Sequence, residues 1–257
     1  MDILRKELNA FYASQHLERE NRPLEAVAEI MDMARAVVQA RGGCVVITDA
    51  SCDRCYIHYG AFGKLMGFAL NDTAVMEHDS SDEDIIYNLI HPEDLVDKRF
   101  LEYEFFNLAD GLADKEKLSV HAACRLRMKD KGGKYRHVDN TTRVIRLTPG
   151  GKIWLIMCTY DLSAYVTVEP GIMPAIINAS TGEATPLSFD NKRLRVLSDR
   201  EKEVLRLIRE GMPSKQIADA LGISVHTVNR HRQNIISKLS VGNSIEAVTA
   251  AMSMKLL

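Results

Sequence analysis

The sequence predicts an α+β chain, in which an antiparallel sheet with helices is followed by a unit that is helical throughout. Three observations carry this. Residues 44–162 run strand, strand, helices, then a three-stranded meander; after Leu194 the apolar spacing becomes purely helical; and the charge changes sign near the same boundary. Residues 192–257 hold twelve Lys and Arg against six Asp and Glu, whereas residues 1–191 hold 21 against 29, so a net charge of −2 conceals a basic unit joined to an acidic one. The basic unit is the one expected to meet a polyanion.

Composition excludes several classes. At 257 residues, 46% hydrophobic and 26% charged, the chain has the makings of one or two globular domains. No apolar run reaches the roughly 18 residues of a membrane-spanning helix, and the opening MDILRKELNA lacks the apolar core of a signal peptide. Five cysteines without a secretion signal suit reduced thiols, so the expected location is the cytoplasm and no membrane partner is expected.

Taken in order, residues 1–41 read as helical. Leu24, Val27, Ala28, Met31, Ala34, Val37 and Val38 recur at three- and four-residue spacing, and Gly42-Gly43 stops the pattern. CVVIT and YIHY then read as two strands, being short, β-branched and aromatic. Helices are expected at about 61–69 and 82–108, the second broken at His91-Pro92, where Pro92, Glu93 and Asp94 suit the first turn of a new helix. Strands follow at about 117–129, 134–148 and 152–162, joined by Lys131-Gly132-Gly133 and Pro149-Gly150-Gly151. The Asp/Glu-rich stretch 77–84 reads as a solvated loop. Residues 163–192 read as a linker with at most a short hairpin about Thr181-Gly182.

The C-terminal spacing is more specific. Ser198-x-x-Glu201 is a capping box that opens a helix carrying Val204, Leu205, Leu207 and Ile208, ended by Gly211. Pro213 opens a second helix with Ile217, Ala218 and Leu221; Gly222 and Ile223 lead to Ser224, the N-cap of a third helix carrying Val228, Ile235 and Leu239. A small residue (Ala218), a Gly four residues later and apolar anchors on both sides are what two steeply crossed helices around a tight turn require. The outward face of the third helix offers His226, Thr227, Asn229, Arg230, Arg232 and Gln233. Asn, Gln and Arg match base edges in a major groove, and Thr and Arg also hold phosphate.

Residues 197–254 resemble the LuxR-type, or GerE-type, helix-turn-helix domain, matching at Leu197-Ser198-x-Arg200-Glu201, Gly211, Ile217-Ala218, Leu221, Ser224, Thr227-Val228, His231, Ile235 and Lys238-Leu239. The resemblance implies a four-helix domain that binds double-stranded DNA as a homodimer, its third helix (224–239) in the major groove. It implies a dimer contact on the fourth helix, here Ile245, Val248 and Met252. The DNA-contacting set expected is Ser224, His226, Thr227, Asn229, Arg230, Arg232, Gln233 and Lys238, with Arg230, Arg232 and Lys238 on phosphate and Asn229, Arg230 and Gln233 on bases. His231 is expected to pack inward. The family commonly has Lys directly after Thr-Val; Asn229 here favours adenine instead.

Residues 42–163 resemble a PAS fold more loosely, through the paired strands, Leu65-x-Gly67-Phe68, Ile90-His91-Pro92-Glu93-Asp94-Leu95 and the hairpin Arg125-x-Arg127-x-Lys129-Asp130-x-Gly132-Gly133-Lys134-Tyr135-Arg136. Such domains sense ligands or redox state, or mediate dimerisation. The resulting plan is a helical segment (1–41), a PAS-like domain (42–163), a linker (164–192) and a helix-turn-helix domain (193–257). No cofactor, metal or catalytic site is expected. The Asn-Cys-Arg motif of a flavin photosensor is absent, His58, His78, His91 and His121 are haem-ligand candidates by type alone, and Cys52-x-x-Cys55 is half a zinc site without a second pair. No phosphate loop, nucleophile elbow or two-His metal helix supports an enzyme, and no receiver domain with a phosphorylatable Asp is recognisable. The sequence leaves one alternative open: a small-molecule or haem sensor whose C-terminal helices serve protein assembly.

Overall fold

The computed structural model describes residues 8, 10–17, 24–69, 74–79, 83–165, 171–189, 196–239, 241–253 and 256–257. Helix α1 (Leu24–Arg41) ends where Gly42 takes a φ of +71° and its N–H reaches Val38 O at 2.8 Å. Then follow β1 (Cys44–Asp49), β2 (Arg54–Tyr59), α2 (Ala61–Met66), β3 (Ala74–His78), α3 (Asp84–Tyr87), α4 (Pro92–Asp110), α5 (Asp114–Ser119), β4 (Val120–Lys129), β5 (Tyr135–Leu147), β6 (Ile153–Leu162), β7 (Ala175–Asn178) and β8 (Ala184–Pro186). Among the described residues these strands make one antiparallel sheet in the order β3-β2-β1-β6-β5-β4-β7-β8.

The middle of the sheet is covered on both faces, so β1 and most of β6 are buried without alternation. Helix α1 lies on one face, with Ala26, Ile30, Ala34 and Val38 packed against Val45, Ile47, Trp154, Leu155 and Met157. This buried line is rotated slightly from the sequence-derived stripe: Val27, Met31 and Val37 flank it, and Ala28 is exposed. Thr48, Ile156 and Cys158, which alternate with Ile47, Leu155 and Met157, turn to the opposite face, where α4 lies.

The two halves of the PAS-like motif set meet at Arg127. On β4, its backbone N–H donates to Asp94 Oδ2 at 2.7 Å and its guanidinium to Asp94 Oδ1 at 2.6 Å and Glu93 Oε2 at 2.7 Å, which ties the start of α4 to the sheet. His91 is the N-cap of α4, its Nδ1 accepting from Glu93 N at 3.4 Å, as the helix-start reading requires. In the β4–β5 hairpin Asp130 Oδ1 accepts from the N–H groups of Gly132 and Lys134, each at 2.9 Å, and Gly133 sits at φ +82°.

Three expectations about elements change. Residues 74–78, partly assigned to a solvated loop, form edge strand β3; Arg54 pairs with Glu77 at 2.6 Å and Asp79 at 3.1 Å, so charge here decorates an edge rather than preventing a strand. Residues 117–119 belong to α5 and not to the first meander strand. The hairpin within 163–192 is β7–β8, and β7 pairs with β4, so this part of the expected linker extends the sheet.

A second unit begins at Ser188, the sheet unit ending at Leu187. It contains α6 (Asp199–Arg209), α7 (Ser214–Leu221), α8 (Val225–Leu239) and α9 (Ser244–Ser253) around buried Val204, Leu205, Ile217, Ala218, Val228, Ile235, Leu239, Ala247 and Ala251. Among the described residues no helix is long and apolar enough to cross a membrane.

Candidate nucleic-acid interface

The helical unit is locked by a few polar side chains at its turns. Ser198 Oγ accepts from Glu201 N at 3.3 Å while Glu201 Oε2 accepts from Ser198 N at 2.8 Å, completing the capping box of α6. Helix α7 ends at Gly222, with φ +64°, and its last carbonyl, Leu221 O, accepts from Arg200 Nη2 at 2.7 Å. That left-handed glycine turns the chain sharply enough for α8 to start three residues later, at Val225. Ser224 Oγ accepts from Thr227 N at 3.0 Å and lies 2.8 Å from Thr227 Oγ1, capping α8.

Helix α8 therefore presents a defined face. With about 100° between successive residues, His226, Asn229, Arg230 and Gln233 fall within an arc of about 100°, and Val228, Ile235 and Leu239 lie opposite. The burial agrees with this arc. His226, Asn229, Arg230 and Gln233 are exposed, and Val228, Ile235 and Leu239 are buried. Among the described residues none of those four exposed side chains makes a hydrogen bond or ion pair, so their polar ends face solvent. Ser224 is exposed and Thr227 half-buried, both occupied with the cap.

Two residues expected on phosphate are placed otherwise. Lys238 Nζ sits 2.6 Å from Glu201 Oε2, with its side chain 17% exposed. Arg232 is half-buried, and its Nη2 donates to Met212 O at 3.2 Å, in the turn between α6 and α7. Both lie about 120° around the helix from His226, on the flanks of the buried stripe. Their charges are turned to the unit's own carboxylate and carbonyl. His231 is half-buried on the inward side. Burial pushes the Glu201 carboxyl upward, but the hydrogen bonds from Lys238 and the Ser198 amide outweigh it and hold the group below the ordinary carboxylate range.

Helix α9 is two-sided. Ala247, Ala250 and Ala251 pack into the unit, and Ile245 and Met252 stand 79% and 54% exposed, with half-buried Val248 between them on the same side. Exposed large aliphatic residues on one helical line form a surface suited to burial against another apolar face.

In the sheet unit, the sequence reading passed over a buried cluster on α4 and at the N-cap of α3. Glu83, Asp94, Asp97, Lys98, Arg99 and Glu102 are all buried. Within a run read simply as helix, the available signal was Lys98 and Glu102, an i,i+4 pair of opposite charge. His91, Glu93 and Asp94 are close enough for a shared cation, but Arg127 already neutralises both carboxylates. Of the haem-ligand candidates, His58 is buried with Nε2 3.3 Å from Met31 Sδ, and His91 is spent on its cap.

Residues 195–251 match the family described as bacterial regulatory proteins, luxR family. Similar curated proteins include the oxygen regulatory protein NreC of Staphylococcus carnosus (strain TM300), 36% identical over 93 residues, which are 35% of this chain and 42% of that one. The uncharacterized response regulatory protein YgeK of Escherichia coli (strain K12) is 45% identical over 67 residues, 26% of this chain and 43% of that one. The transcriptional activator protein CarR of Pectobacterium carotovorum subsp. carotovorum is 45% identical over 67 residues, 26% of this chain and 28% of that one. The chain thus spans about half, or less, of the length of the curated relatives it matches. Among solved structures, the Vibrio cholerae VqmA dimer in the absence of target DNA is 17% identical, covering 92% of this chain and 89% of that one at a TM-score of 0.31, too low to carry a fold or a function across.

Proposed function

Residues 195–251 of this chain are a LuxR-family regulatory domain, and from that premise we propose that the protein regulates transcription by binding double-stranded DNA through α8, as a homodimer joined through α9. One observation carries the reading: the Asn, Arg and Gln side chains that best fit base edges stand together on the one face of α8 that the unit leaves to water. A helix about 10–12 Å across fits a major groove about 12 Å wide. Asn229 and Gln233 can each give a two-point contact to adenine, and Arg230 can fork onto guanine. The first turn of α8, with Ser224, His226 and Thr227, faces phosphate, where free amides and the positive helix end favour an anion. Arg232 and Lys238 act from behind, holding α8 against α6 and the α6–α7 turn.

The line of exposed Ile245 and Met252 with half-buried Val248 between them supports pairing of two copies, which sets two α8 helices on half-sites about one helical turn, 34–36 Å, apart. The sheet unit is read as PAS-like and signal-receiving. Support comes from its strand pair, intervening helices and a meander that returns to pair with β1, together with the Arg127 link between the two motif halves. The chemistry proposed is binding, with no catalytic step, and the place of action is the cytoplasm. Selection of bound sequences from random duplex DNA by the full chain tests the reading. A two-fold symmetric consensus is expected; absence of enrichment contradicts DNA reading, and a single asymmetric site contradicts the dimer.

A further inference from the structure

Among the described residues, three large apolar side chains of the helical unit stand exposed: Ile245, Met252 and Val225. The first two belong to the line on α9. Val225, 41% exposed, is the first residue of α8, and neither packing nor helix formation accounts for it there. A β-branched residue is a weaker helix former than Ala, and the positive end of a helix favours Asp or Glu. Helix α6 opens in that way, with Asp199 and Glu201 in its first turn, and α9 does so with Glu246. The first turn of α8 carries no acid. An acid there would repel a DNA phosphate. What stands in its place is a side chain without charge or hydrogen-bonding group, at the end of the helix whose residues meet base edges when such a helix lies in a major groove.

The position of Val225 relative to Asn229 gives it something to read. The two are four residues apart, hence about 40° apart around α8, with Cβ atoms about 5–6 Å from each other. Successive base pairs are about 3.4 Å apart, so the valine stands about one to two pairs from the base under Asn229. It lies on the flank away from Thr227, whose hydroxyl is engaged with Ser224. An adenine held by Asn brings with it a thymine on the opposite strand, whose C5 methyl projects into the same groove. That methyl group, or the one on a neighbouring thymine, is an apolar feature on an otherwise polar groove floor, and an exposed valine matches it chemically.

We propose that Val225 reads thymine: its methyl groups pack on the C5 methyl of one thymine in each half-site, in the pair held by Asn229 or about one to two pairs from it. The inference rests on the reading of α8 as the DNA-binding helix, with Asn229, Arg230 and Gln233 setting the register in which the valine meets its methyl. The test replaces thymine by deoxyuridine, which removes the methyl group and leaves every hydrogen-bonding group in place. Replacements are made one position at a time, in one or both halves of the duplex selected by the full chain, and the pair under Asn229 is located as the one at which Asn229→Ala relaxes preference. Competition binding is measured for wild type and Val225→Ala, with Tm as the check on folding. For wild type, uracil at one position near that pair should lower affinity about fourfold, the factor for burying one methyl group, and about fifteenfold when both half-sites are changed. Val225→Ala should melt like wild type, bind the thymine duplex more weakly by a similar factor, and bind the thymine and uracil duplexes alike. Wild type indifferent to uracil at every position near that pair, or Val225→Ala with the wild-type sensitivity intact, overturns the assignment. So does Val225→Ala that binds both duplexes as wild type does but fails to regulate transcription, a result that gives the side chain to a protein partner. Sequence preference retained by wild type beside any of these results removes the role of Val225 alone, whereas no preference among duplexes removes base reading by α8 itself.

Discussion

Removing the Glu201 carboxylate should weaken the helical unit at two places together. In Glu201→Ala, Ser198 N loses an acceptor at 2.8 Å and Lys238 Nζ loses its partner at 2.6 Å. A lost cap costs about 0.5–2 kcal/mol. A charged hydrogen bond to a nearly buried carboxylate contributes about 1.5–3 kcal/mol. The sum, about 2–5 kcal/mol, corresponds to a fall in Tm on the order of 10–40 °C for a unit of this size. The pH dependence has a definite sign. Because the folded carboxyl titrates below its unfolded value, its stabilisation is complete above the ordinary carboxylate pKa and is lost as pH falls through the lowered one. Calorimetry of the full chain, with Glu201→Ala, Lys238→Met and the double variant, measures the coupling. A coupling of about 1 kcal/mol is expected, and one below about 0.3 kcal/mol refutes the arrangement. The same Lys238→Met protein should keep the wild-type dependence of DNA affinity on salt, since each phosphate contact adds about 0.9 to that slope and Lys238 is turned to Glu201.

Arg230→Ala should weaken binding to the selected duplex by about 1–3 kcal/mol and relax preference at one base pair without lowering Tm, as read by competition binding. Gly222→Ala should cost about 1–2 kcal/mol in denaturant unfolding; nothing lies within 4 Å of the added Cβ, so the whole cost is the φ of +64°. Ile245→Asp should convert a dimer to a monomer in sedimentation and weaken operator binding, the fold being unaffected at a position 79% exposed. Burial pushes the Glu83 carboxyl up against the opposing pull of Lys98 and Tyr160, so its contribution is complete below the ordinary carboxylate pKa and is lost as pH rises through the raised one. Glu83→Gln should therefore flatten the fall in stability of the sheet unit from the carboxylate range upward, as followed by melting against pH.

The helical unit was the more legible half because its determinants are local. A capping box, an alanine at the crossing and a glycine at positive φ fix α6, α7 and α8 within some forty residues of chain, roughly the span of a supersecondary motif. Which polar residues on α8 stay free was less legible. Residue type marked Arg232 and Lys238 as phosphate ligands, but their angular position beside Val228, Ile235 and Leu239 brings them to Met212 O and Glu201. Counting the helix as a wheel separates them from Arg230, whereas composition does not. The sheet was legible in its meander, where Gly132-Gly133 and Gly151 mark the turns, and obscure at its edges. Strand β3 is short and charged, and β7–β8 is short and rich in turn residues, so pairing to β2 and β4 decides them and not local propensity. The buried polar cluster was least legible of all, because Thr48, Glu83, Glu102, Thr142 and Cys158 converge on one small cavity from five separate elements and segments.

The central claim is that the water-facing side of α8 reads base sequence. It is tested most directly by replacing Asn229, Arg230 and Gln233 together with Ala and comparing specific and random duplexes across a salt series, with Tm as the check on folding. The variant is expected to melt like wild type and keep weak, salt-sensitive binding to any duplex while losing its preference for the selected sequence. A folded variant with the wild-type preference intact would contradict the account.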